Sequence, residues 1–271
     1  MLNPRLLVFL AYILLSGCTI KDKGQIIIIG TIHFPSENID SDKLYNILDK
    51  VKPDVILFES DSSNFNSDFT FKNMYNENEF NAVSQYKTNY PNIYIRPYDI
   101  EGRNQYRIEM GIQNPGSVFS LISELEKQNA LSSDSKRYWD DFVMLSGQLD
   151  SCSNLDLQAI NALSTDEIVG ERQMYQYKKV REIVDNKVEF TKRFIKLNTN
   201  DSISLRTLYN RYTDFERQRE NQMVQNILNM TQHFPNKKIV VLTGFYHRYY
   251  LVKGIQELKS NVPFELKEFY N

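Results

Sequence analysis

Gln25-Ile26-Ile27-Ile28-Ile29-Gly30-Thr31-Ile32-His33 is an apolar run that ends in Gly-x-x-His. The same string returns far along the chain as Lys238-Ile239-Val240-Val241-Leu242-Thr243-Gly244-Phe245-Tyr246-His247. Consecutive β-branched and leucine residues without polar alternation read as strands covered on both faces, the habit of a parallel sheet between helices. Gly30 and Gly244 let the backbone turn or another group approach where each strand stops. A histidine three residues on stands beyond the strand's carboxyl end, where open α/β sheets place their ligands. The chain has 3 histidines, and these strings use two of them. The repetition points to two halves of one site.

Outward from the first string the sequence alternates strand and helix. The expected strands are 25–30, 55–59 and 92–96. A helix over 42–50 is capped by Ser41, and a shorter helix surrounds 79–86. This order predicts parallel pairing with right-handed crossovers. From about 117 to 231 the helical period dominates, with helices expected over 118–128, 135–149, 165–196 (broken once) and 204–231. That stretch reads as a helical insertion within one α/β domain. After it the strand–helix–strand order resumes, with strands at 238–243 and 264–269 and a helix over 247–258.

Lys and Arg number 32 against 34 Asp and Glu, a net charge of −2. With no basic block and no Cys/His finger spacing, nucleic-acid binding is not expected. At the amino end, Arg5 precedes an apolar stretch over 6–15, followed by Leu15-Ser16-Gly17-Cys18 and the polar Lys21-Asp22-Lys23. This resembles a bacterial lipobox. It implies that residues 1–17 are a signal peptide and that Cys18 carries lipid, which would make 18–271 a lipoprotein on a membrane of the bacterial cell envelope. Cys152 then has no partner for a disulfide, and no neighbouring cation activates it.

Glu59, at the end of the second strand, faces the same crevice as His33. Two imidazoles and a carboxylate (His33, Glu59 and His247) can hold a divalent transition metal such as Mn, Co or Zn. Without metal, His33 and Glu59 could act as a base and its orienter. Asp99, after the third strand, could reach the same place. Glu37 and Asp40 read as loop or cap residues, and His233 as a cation at a helix carboxyl end. Tyr246 and its aromatic neighbours could line a cleft or pack in the core, and a tyrosine there could ligate haem iron.

Gly-Thr-x-His, a Glu closing the next strand, an Arg-x-x-x-Met helix segment and a second Gly-x-x-His together resemble the TraB/GumN/Tiki family. The helix segment is Glu216-Arg217-Gln218-Arg219-Glu220-Asn221-Gln222-Met223-Val224. Arg219 and Met223 fit the family register, with Arg217 as the other candidate arginine. Glu220 stands where the family has Asn. The resemblance implies two pseudo-symmetric αβ halves sharing a central sheet, with both Gly-x-x-His motifs in one cleft. It also implies a metal-dependent hydrolase acting on a peptide or small ester, with Arg219 stabilising an oxyanion or gripping a carboxylate. The wider superfamily holds erythromycin-esterase-like enzymes and ChaN-like haem-binding lipoproteins. A metal-independent esterase and a non-catalytic ligand-binding lipoprotein are therefore the alternatives.

Overall fold

The computed structural model describes residues 23–197, 201–258 and 263–270. The expected signal peptide and Cys18 lie outside them. Seven strands are described: β1 (Gly24–Thr31), β2 (Val55–Phe58), β3 (Tyr94–Pro97), β4 (Phe194–Lys196), β5 (Ser202–Ser204), β6 (Lys238–Gly244) and β7 (Phe264–Lys267). The first helices are α1 (Ser41–Val51), α2 (Asn78–Asn89), α3 (Arg103–Glu109), α4 (Gly116–Lys127), α5 (Ser133–Cys152) and α6 (Leu157–Ile160). Next come α7 (Leu163–Met174), a π-helical turn (Tyr175–Lys179), α8 (Val180–Asn186), α9 (Glu189–Lys192), α10 (Leu205–His233) and α11 (Phe245–Glu257).

Five strands form one parallel sheet in the order β3-β2-β6-β1-β7. The chain runs β1–α1–β2 across β6 in one direction and β6–α11–β7 across β1 in the other. Right-handed crossovers that leave in opposite directions must lie on opposite faces. They do. Ile27 and Ile29 pack with Leu44 and Leu48 of α1, whereas Ile26 and Ile28 pack with Leu251 and Ile255 of α11 and with Met223 and Ile227 of α10. Alternate residues of one strand thus feed two separate cores, which is why the strand is apolar at every position. The two βαβ units are related by an approximate twofold running along the strands between β1 and β6, matching the expected α/β fold of paired halves.

Helices α4–α10 form the expected insertion, with a third core around Val118, Trp139, Ile183 and Leu208. Three local expectations are corrected. Asp40 caps α1 by accepting from the Lys43 N–H, in place of Ser41, which is the first helical residue. The helix expected over 165–196 with one break runs unbroken through α7, the π turn and α8, breaks before α9, and gives way to β4 at its end. Strands β4 and β5 form a small antiparallel hairpin that the sequence period did not show. Among the described residues no helix is long and apolar enough to cross a membrane.

Candidate functional site

β1 and β6 are neighbours from which the chain departs in opposite directions. Their carboxyl ends are therefore the switch point at which α/β sheets open a crevice. The register pairs Gly30 with Thr243 and Thr31 with Gly244, so the two Gly-x-x-His strings are offset by one residue. β6 passes straight into α11, which puts His247 in that helix's first turn, where its side chain is largely buried. β1 runs one pair further into a loop, and the His33 side chain is half-exposed. The loop is pinned by α2, because Asn78 donates its backbone N–H to the His33 carbonyl at 2.7 Å and its side chain to the Ile32 carbonyl at 2.9 Å.

Neither motif glycine has a positive φ. Gly30 is needed for space: a Cβ there would lie 3.0 Å from the Phe245 Cα and 3.2 Å from the Arg248 side chain. Its own peptide groups are clamped by Asn161, which accepts from Gly30 N at 2.6 Å and donates to Gly30 O at 2.8 Å. The side chain of Asn161 thus stands in for a strand beyond the end of β7.

Glu59, Asp99, Arg219 and His247 meet at this edge. Asp99 grips Arg219 in a fork, Nε to Oδ1 at 2.9 Å and Nη2 to Oδ2 at 2.8 Å. Nη2 also donates to Glu59 Oε1 at 2.6 Å, and Nη1 lies 3.0 Å from His247 Nε2. The second Glu59 oxygen accepts from the Thr243 hydroxyl and from the Gly244 N–H, both at 2.7 Å. That N–H opens α11, where the helix dipole favours a negative charge. Burial alone would raise the Glu59 pKa, but His247, Arg219 and these hydrogen bonds outweigh it and hold the carboxyl well below its usual range.

The two imidazoles have matching surroundings. His247 Nδ1 faces Glu220 Oε1 at 3.2 Å, and His33 Nδ1 faces Glu79 Oε1 at 3.0 Å. His247 Nε2 is 3.8 Å from Glu59 Oε1. His33 Nε2 and Glu59 Oε2 lie 3.6 and 3.8 Å from one point, the place a Cβ on Gly244 would occupy. Glu59 therefore sits between the paired motifs. The hydrogen bond that His33 donates to Glu79, helped by the charges of Glu79, Glu59 and Glu77 and opposed by burial, raises the His33 pKa to about 9.

His33, Glu77 and Glu79 offer ligand atoms within 4.8 Å of one another and could hold a metal ion. Of the three residues expected as ligands from sequence, His33 belongs to this group. Glu59 and His247 spend their inward atoms on Arg219, Thr243 and Gly244. Glu79 Oε2 is buried without a hydrogen-bond partner, while Oε1 takes bonds from His33 and from the Thr31 hydroxyl. An orphaned carboxylate oxygen beside an imidazole and a second carboxylate is the donor set a hard or borderline divalent cation fits. Burial, with the charge of Glu79 nearby, raises the Glu77 pKa. The crevice has room for about 30 Å³ and is also lined by Glu59 and Thr243, so three carboxylates surround one imidazole.

Arg219 and Met223 are both buried, in the register the motif implied, whereas Arg217 is exposed and lines a separate groove with Tyr249 and Lys253. Tyr246 packs against Phe245, the rings tilted by 40° with centres 4.4 Å apart, and faces the Arg172 guanidinium at 5.2 Å. Cys152 is a free thiol at the end of α5, and His233 Nδ1 stays with the Asn229 carbonyl at 2.8 Å. Sequence reading missed Glu77, Glu79 and Glu220. For Glu220 there was a signal, a carboxylate one residue after the motif arginine; in the structure it accepts from the Gln173 amide and faces His247 Nδ1. No protein-family model, curated protein or solved structure matches the chain.

Proposed function

We propose that this chain is a divalent-metal-dependent hydrolase of peptide or small ester bonds, working at the carboxyl edge of β1 and β6. One observation carries the reading: Glu79 keeps a buried oxygen without a partner in a crevice it shares with His33, Glu77 and Glu59. His33, Glu77 and Glu79 would hold the ion. When bound, such an ion supplies an activated water and polarises a carbonyl. Glu59 stays ionised and is fixed on three sides, so it serves as a placed negative charge beside the crevice rather than as a proton carrier at neutral pH. Arg219 holds Glu59 and His247 in register, with Asp99 fixing its plane.

Residues 1–17 would direct export and Cys18 would carry lipid, placing the domain on an envelope membrane. The divalent ion is favoured over haem because the crevice beside His33 has room for about 30 Å³, too little for a macrocycle. The test is hydrolysis of a fluorogenic peptide and ester panel by the purified full chain. Activity should vanish in a strong chelator and return with Mn²⁺, Co²⁺ or Zn²⁺. Hydrolysis that persists undiminished in chelator would favour the metal-independent esterase reading.

A further inference from the structure

Behind the Arg219 cluster, on the side away from His33, lies a groove of about 330 Å³ walled by Tyr212, Tyr246 and Pro115. Its inner end is Arg219 and His247, and two further arginines, Arg107 on α3 and Arg172 on α7, line it. Among the described residues these two line a groove yet meet no carboxylate, unlike several arginines elsewhere in the fold. Arg219, Arg248, Arg181, Arg193 and Arg103 each meet a carboxylate. Arg172 bonds only neutral partners, the Ser146 hydroxyl at 3.0 Å from Nε and the Gln176 amide oxygen at 2.6 Å from Nη1. Its guanidinium also lies 4.9 Å from the Phe142 ring centre and 5.2 Å from that of Tyr246. These contacts fix its plane without neutralising it. Among the described residues neither Arg107 nor Arg172 has a carboxylate within ion-pair distance. The lining carboxylate, Glu216, is 3.6 Å from Arg219 Nη1. A partly buried guanidinium with unspent donors is a strong donor to a planar carboxylate, and the aromatic walls suit an apolar group beside it.

We propose that this groove takes the carboxylate end of a ligand bearing an adjacent aromatic or apolar side chain, as in a peptide carboxyl terminus or an N-acylated amino acid. Describing that ligand as substrate rests on the hydrolase reading, but the binding itself does not.

The probes are N-acetyl-L-phenylalanine and its primary amide, titrated calorimetrically into the full chain in detergent. The acid should bind on the order of tenfold more tightly than the amide, the scale of one charge-assisted contact. Arg172→Gln and Arg107→Gln should each erode that preference. Arg107 makes no side-chain bond within the described structure, so its variant keeps the fold and the test valid. Equal affinity for acid and amide, no binding of either, or an unchanged preference in both variants would overturn the proposal. Mn²⁺ binding is titrated in parallel. Acid binding without Mn²⁺ binding would refute the hydrolase reading alone, and Mn²⁺ binding without acid preference would refute the groove alone.

Discussion

Glu79 does for His33 what Glu220 does for His247. Each takes the imidazole Nδ1 and leaves Nε2 on the side of Glu59. The histidines were legible because the same string occurs twice, and Glu59 because it closes an apolar strand. Glu79 was not legible, since α2 brings it to His33 from 46 positions away and no spacing rule links a loop histidine to another helix's first turn. Its consequence can be measured. In metal-free protein, NMR titration should find His33 deprotonating near pH 9, and Glu79→Gln should bring it back toward the ordinary imidazole value. The sign follows. A histidine pKa raised on folding stabilises the fold fully below its unfolded value of about 6.5, and that contribution is lost as pH rises through the folded value. Because His33 is half-exposed, solvent screening keeps the contribution small. A wild-type His33 that titrates near 6.5 would show that Glu79 does not hold it.

Elements were read best where period and burial agree. β1, β2 and β6 are apolar throughout because helices cover both faces, and their bounds fall within a residue or so of expectation. The segment 165–196 reads as a helix with one break, and the break falls between α8 and α9; only its end differs, because β4 takes the last residues. The β4–β5 hairpin failed because each strand has only three residues. Of the two reasons expected for the motif glycines, a turn or a close approach, only the second holds, and only at Gly30. Gly30 admits the first residue of α11 instead of making a turn. Gly30→Ala should force backbone against backbone and cost about 1–3 kcal/mol, as overpacking does. Chemical denaturation would read it, and Gly244→Ala, whose new Cβ meets nothing closer than 3.6 Å, is the control. Equal cost at both positions would contradict the close-approach argument.

The whole molecule joins two βαβ units around one crevice, with a helical insertion closing one side. Sequence order gave the alternation, but the strand order came only from the structure. Nothing in a string of residues states that β6 inserts between β1 and β2. At this scale the lipobox resemblance makes its own prediction. Full-length protein expressed in a bacterium should fractionate with membranes and incorporate labelled fatty acid, and Cys18→Ala should abolish the label. Attachment through two or more acyl chains is stable, at about 0.8 kcal/mol per buried CH₂. Wild-type protein without label would remove the anchor from the account.

If the crevice is a metal site, a cation belongs among His33, Glu77 and Glu79. Crystals of the protein soaked in Mn²⁺, measured for anomalous scattering, test it directly. One strong peak is expected at about 2 Å from ligand atoms of these three residues, lost in Glu79→Gln crystals. A peak between His33, Glu59 and His247 with Arg219 swung away, or no peak at this edge of the sheet, would contradict it.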